Sequence, residues 1–104
     1  MVWYSSKPGR HDDFAACIEK SGAKFYGAFW CPHCQEQKAL FGRSARKLPY
    51  VECSTPNGQA QLPACTEKKV ESYPTWHFAD GTVRQGTISL AELSSLTNCP
   101  IAKQ

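Results

Sequence analysis

The feature that most constrains this chain is a pair of cysteines lodged between a short aromatic segment and a long polar one. In "KFYGAFWCPHCQEQKALFGRSARKL", Cys31 and Cys34 flank Pro32 and His33. "KFYGAF" is short and apolar, which predicts a buried strand. "QEQKALFGRSARKL" predicts a helix with Leu40 and Phe41 inward and its Gln, Lys and Arg residues outward. Gly42 lies inside that helix, costs about 1 kcal/mol against Ala, and marks a possible kink. The cysteines then sit at the carboxyl end of a strand, where open α/β sheets place their sites. Three roles remain open for them: metal ligands, a staple, or an exchanging redox pair.

The remaining segments supply the scaffold. "VWYS" reads as a short edge strand. "HDDFAACIEKSG" reads as a helix, with Asp12 or Asp13 at its positive end, Phe14, Cys17 and Ile18 on one face, and Gly22 as a stop. "YVEC" is a strand and "STPNGQAQLP" a loop. "ACTEKKVES" is a short helix with Pro63 at its first turn. "TWHFA" and "TVRQG" form a hairpin through Asp80-Gly81. "SLAELSSLTN" is a helix with Ser89 and Glu92 at capping-box spacing. The fold class expected is α/β, a central mixed β-sheet flanked by helices in the order (β)αβαβαββα, as one domain over residues 1–104.

The chain has 104 residues, 41% hydrophobic and 12% aromatic, enough for one modest core. A net charge of +3 with scattered Lys and Arg gives no sign of nucleic-acid binding. No run approaches the roughly 18 apolar residues of a membrane span. The N-terminal residues "MVWYSSKPGRHDDF" contain no signal-peptide h-region. Six cysteines nevertheless favour an oxidising compartment or a redox task. The expectation that reconciles these is an excised domain of an exported or tethered protein, monomeric when isolated.

With Pro32 opening the helix, Cys31 falls at its N-cap and Cys34 one turn in. Unpaired N–H groups and the helix dipole favour a Cys31 thiolate, which makes Cys31 the nucleophile and Cys34 the resolving thiol. Protonated His33 would add positive charge beside Cys31, and Pro32 fixes the turn. Stabilising the thiolate makes the disulfide a better oxidant, so a disulfide donor is expected. In "SYPTW", a cis Pro74 facing Cys31 would present the Tyr73 backbone to an extended substrate. Trp30 is either an apolar contact for peptides or a core residue. Cys53 and Cys65 bracket the loop; a disulfide there would stabilise the domain by about 3 kcal/mol in the chain-entropy model. Two unpaired thiols, or a relay to Cys31–Cys34, are the alternatives. Cys17 and Cys99, on the first and last helices, either pair or stay free.

The runs "YGAFWCPHCQEQKALFG", "LPYVEC" and "ACTEKKVESYPTW" resemble the thioredoxin-like domain fused to the membrane-embedded vitamin K epoxide reductase homologue of cyanobacteria and plants. The resemblance covers Lys24 to Gln85. It implies a thioredoxin-like fold, Cys31–Cys34 as the redox-active disulfide, Pro74 as a cis proline, and Cys53 with Cys65 as the family's additional pair. It further implies a domain that hands its disulfide to thiols of secreted or lumenal proteins, with no cofactor bound to itself. The membrane domain would reoxidise it and pass electrons to a quinone. Periplasm or thylakoid lumen, membrane-tethered in the full-length protein, is the implied location. The Pro-His dipeptide is similar to that of DsbA-type oxidases. One departure stands out: Phe25 occupies the place where many thioredoxins carry a buried acid that handles the resolving cysteine's proton.

Two other readings compete. A zinc module would use Cys31, Cys34 and two of Cys53, Cys65, His33 and His77, but the second pair is too widely spaced for a paired CxxC site. A redox-inert module of the same fold would keep Trp30, Tyr73 and Pro74 as a peptide-binding face.

Overall fold

A computed structural model describes residues 9–101. The expected strand "VWYS" lies outside those residues. The first described element is helix α1, Asp12–Lys20, with Asp12 and Asp13 in its first turn and Lys20 in its last. Those charges complement the helix dipole. Phe14, Ala15 and Ile18 face inward, and Cys17 is half-buried at the edge of that face.

Strand β1, Lys24–Gly27, follows, and helix α2 runs Pro32–Phe41. Gly42 ends α2 with φ +55, and the chain tightens into a 3-10 turn over Gly42–Lys47. The long helix expected here is therefore broken at its glycine, the residue that tolerates positive φ. Strand β2 is Tyr50–Glu52 and helix α3 is Pro63–Thr66. α3 is shorter than its sequence suggests, because Lys69 turns the chain away with φ +60. Strands β3, Thr75–His77, and β4, Val83–Gln85, close the sheet, and helix α4 spans Leu90–Thr97. Half of the expected capping box forms: the Glu92 N–H donates to Ser89 Oγ at 3.1 Å. The Glu92 carboxylate lies instead 3.6 Å from Arg84 Nε.

The sheet order is β2-β1-β3-β4. β1 and β2 are parallel, while β1–β3 and β3–β4 are antiparallel. Alternation along the strands separates two cores. The larger gathers Phe25 and Trp76 with Phe14, Ile18, Cys34, Phe41 and Leu93 from three helices and Ile88 from the segment before α4. Phe25 and Trp76 stack at 4.7 Å, and Phe14 and Phe41 at 5.6 Å. The smaller core, on the other face, joins Tyr26 to Cys53, Cys65 and Val70.

Two expectations about α2 are overturned. Leu40 points out, 41% exposed, whereas Gln37 is fully buried. Cys34, Gln37 and Phe41 form the inward stripe at helical spacing, and Leu40 falls outside it. Gln37 is satisfied despite its burial. Its Oε1 accepts from Trp76 Nε1 at 3.1 Å and the Ile88 N–H at 2.8 Å, and its Nε2 donates to the Ile88 carbonyl at 2.9 Å.

The question left open for Cys17 and Cys99 is answered by a disulfide across a separation of 82 residues. It ties α1 to the end of α4. A loop of that length carries about 4.5 kcal/mol in the chain-entropy model. Replacing both cysteines by serine is expected to lower unfolding free energy by up to that amount in urea titrations.

Candidate active site

β1 delivers the chain to the sheet's edge, and a tight turn reverses it into α2. The Cys31 N–H donates to the Ala28 carbonyl at 3.1 Å, and the Gln35 N–H to the Cys31 carbonyl at 3.1 Å. Cys31 is the N-cap of α2, with extended φ and ψ, and Pro32 occupies the first helical position. Proline fits there because its missing N–H would have no partner anyway. Both cysteines are free thiols. Cys31 is 7% exposed and Cys34 1%.

The Tyr73–Pro74 peptide is cis. It places the Tyr73 carbonyl against the site, where it accepts from the Cys31 thiol at 3.6 Å. Trp30 is 46% exposed and its neighbour Phe29 49%. Trp30 is therefore a surface residue rather than a core one. Its Nε1 donates to Ser54 Oγ at 2.9 Å, and its ring meets Tyr73 edge-on at 5.8 Å. Tyr73 is anchored in turn by Gln61 Nε2, which donates to its hydroxyl at 2.8 Å. Phe29, Trp30 and Tyr73 thus put exposed and half-buried aromatic surface beside the helix end that carries Cys31.

His33 leans away from Cys31. Its Nδ1 lies 3.1 Å from Glu36 Oε1 on the exposed face of α2, and Thr87 Oγ1 donates to the His33 carbonyl. The hydrogen bond from His33 holds the Glu36 carboxyl below its ordinary range. A proton on His33 would therefore sit against the Glu36 carboxylate.

Cys34 sits in a different environment from Cys31. Its sulfur packs onto the backbone of Gly27: a Cβ there would lie 2.8 Å from Cys34 Sγ and 2.9 Å from Tyr50 Cε1. Burial pushes the Cys34 thiol up to about 12, with Cys31 adding to the rise and a hydrogen bond from the Ala28 backbone and the Lys38 charge opposing it. Sequence reading missed Gly27, Lys38, Tyr50 and Glu52. The signal for Lys38 was its place one turn beyond Cys34 on α2. The others required the β1–β2 register.

Cys53 and Cys65 are joined in a disulfide. Both are fully buried, in the smaller core, on the opposite face of the sheet from Cys34. That placement suits a staple better than a relay. It also withdraws both sulfurs from metal binding. Among the described residues, no three His, Cys, Asp or Glu side chains converge on one point. No helix among them is long and apolar enough to cross a membrane.

A mixed four-stranded sheet flanked by helices, with CxxC at the helix end after β1 and a cis proline before β3, is a thioredoxin-like fold. No protein-family model matches the chain. It is 52% identical over 85 residues to the thiol-disulfide oxidoreductase LTO1 of Arabidopsis thaliana. The match takes in 77% of this chain and 22% of that protein, so the chain spans only about a fifth of its relative's length.

Two outcomes follow from the packing of Cys34. Gly27→Ala is expected to destabilise the reduced protein by about 1–3 kcal/mol in urea titrations, because the thiol and the Tyr50 ring leave no room for a methyl. The raised Cys34 value also sets a pH dependence. A thiol that holds its proton more tightly when folded stabilises the fold fully below its ordinary value of 9.0 and loses that contribution as pH rises toward about 12. The stability difference between the reduced wild type and Cys34→Ala is expected to shrink across that window.

Proposed function

We propose that this chain is a thiol-disulfide oxidoreductase domain that donates the Cys31–Cys34 disulfide to protein thiols. The observation that carries the reading is the pairing of an N-cap Cys31, facing the carbonyl before a cis proline, with a buried Cys34 one turn on. The likeness to a relative named a thiol-disulfide oxidoreductase supports it.

In the donating direction, a substrate thiolate attacks Cys31 Sγ of the oxidised pair. The Cys31–Cys34 bond breaks and its electron pair stays on Cys34, which takes a proton. A second substrate thiolate then attacks the sulfur joined to Cys31 and leaves with the disulfide, while Cys31 departs as a thiolate. The substrate loses two electrons and the pair gains them. The end of α2 stabilises the departing Cys31 thiolate, which favours this direction. Phe29, Trp30 and Tyr73 would receive the apolar flanks of an extended substrate, with Pro32, His33 and Pro74 shaping the approach.

The proposed setting is an oxidising one, the periplasm or the thylakoid lumen. Two disulfides beyond the active pair suit such a compartment. The proposed partner for reoxidation is a membrane-embedded vitamin K epoxide reductase homologue, to which the domain would be tethered, with a quinone as final acceptor. The domain itself would bind no cofactor and no nucleic acid and act as a monomer.

Equilibration with glutathione buffers and thiol trapping tests the direction. A pair that stays reduced in fairly oxidising buffer is the expected result; a pair that stays oxidised until conditions are strongly reducing would overturn the donor reading. Cys31→Ser is expected to abolish exchange, and Cys34→Ser to accumulate a mixed disulfide at Cys31, both seen by mass spectrometry.

A further inference from the structure

The aromatic residues beside Cys31 are held by a loop remote from it in the chain. That loop leaves β2, reverses, and is closed by the Cys53–Cys65 disulfide. The Leu62 N–H donates to the Cys53 carbonyl at 2.7 Å, and the Thr55 N–H to the Ala60 carbonyl at 3.0 Å. Between those bonds, Ser54 and Gln61 face each other in an isolated antiparallel bridge. Ser54 is buried and Gln61 half-buried.

Each member of that bridge fixes one aromatic ring. Ser54 gives its hydroxyl hydrogen to the Thr55 carbonyl at 2.8 Å, which leaves its oxygen to accept from Trp30 Nε1 at 2.9 Å. Gln61 Nε2 donates to the Val70 carbonyl at 2.9 Å and to the Tyr73 hydroxyl at 2.8 Å. Its Oε1 accepts from Thr66 Oγ1 at 2.9 Å, so the amide cannot turn without losing partners.

Two further contacts tie the loop to the site. Gly58 comes against the indole: a Cβ there would lie 3.4 Å from Trp30 Cδ1. Glu52 Oε2 accepts both the Phe29 N–H at 3.1 Å and the Ser54 N–H at 3.0 Å, which straps the loop to the turn before Cys31. Trp30 and Tyr73 are thereby set edge-on, their planes 77° apart. The Tyr73 carbonyl, on the same residue, accepts from the Cys31 thiol.

We infer that Ser54 and Gln61 are positioning residues for the exchange site, fixing the Trp30–Tyr73 corner so that it selects cysteine thiols flanked by large apolar side chains over glycine-flanked ones. The inference rests on the oxidoreductase reading above and adds a specificity element from outside the CxxC and cis-proline segments. Neither residue touches the reacting sulfurs. Their effect enters through binding, because a corner already set spares the ordering of two aromatic side chains when a substrate docks. A glycine-flanked cysteine has nothing to place there.

The test is reduction of the oxidised 104-residue chain by two peptides, alike except that the single cysteine is flanked by phenylalanine in one and by glycine in the other. Each reduction uses two peptide thiolates. The first attacks Cys31 Sγ, and the electron pair of the Cys31–Cys34 bond passes to Cys34. The second attacks the peptide sulfur on Cys31, leaves as the peptide disulfide and frees Cys31 as a thiolate. Acid quenching, alkylation and mass mapping follow the thiols that appear at Cys31 and Cys34. The wild type is expected to prefer the phenylalanine peptide about tenfold. Ser54→Ala and Gln61→Ala are each expected to lower that preference about threefold. The loss is expected in the half-saturating concentration of the phenylalanine peptide, at an unchanged limiting rate. Tyr73→Phe, which removes only the hydroxyl that Gln61 holds, is expected to match Gln61→Ala. Once Trp30→Ala is in place, adding Ser54→Ala is expected to change the preference no further. A wild type that reacts equally with both peptides overturns the inference and leaves the oxidoreductase reading intact. So does a preference unchanged in Ser54→Ala and Gln61→Ala, or a loss of rate equal for both peptides. A wild type whose Cys31–Cys34 disulfide neither peptide reduces overturns both.

Discussion

The contact of the Cys34 sulfur with the bare backbone of Gly27 is the constraint from which the rest of the site follows. Because no side chain intervenes at Gly27, α2 can lie close over β1. That approach buries Cys34 and leaves Cys31, one turn earlier, at the helix end beside the Tyr73 carbonyl. The two thiols are thereby made chemically unequal. Cys31 stands at the helix end, and Cys34 in a dry contact that disfavours its thiolate. A single glycine on a central strand thus gives the two sulfurs different surroundings.

A buried glutamine holds the same helix from its other end. Gln37 bonds the Trp76 indole on β3 and both backbone groups of Ile88, just ahead of α4. Through these bonds, α2, the strand after the cis proline, and the start of α4 are fixed together. A buried amide is costly unless every group is matched, and here its oxygen and nitrogen both find partners. The result is a fixed frame for the CxxC turn and the Tyr73–Pro74 peptide.

The four other cysteines act at a distance from this frame. Cys17–Cys99 clamps the first described helix to the chain after the last. Cys53–Cys65 closes the loop after β2 and lies on the far face of the sheet. In a chain of 104 residues the core is small, and cross-links supply stability that apolar burial alone delivers sparingly. Neither bridge stands in the path between Cys31 and Cys34.

The sequence by itself determined the order of elements after residue 9, the hairpin at Asp80-Gly81, the N-cap position of Cys31 and the placement of Cys34 one turn on. These follow from short-range rules: apolar period, turn residues, and proline at a first helical position. Leu40 and Gln37 were misplaced because helical phase depends on which stripe meets the sheet, and the strong signal of an apolar Leu hid the period through Cys34, Gln37 and Phe41. Only the tertiary structure decided the partner of Cys17, the face on which Cys53–Cys65 lies, and the gathering of Lys38 and Tyr50 around Cys34. Each of these depends on strand register and on contacts between residues far apart in the chain, and local propensity carries no record of either.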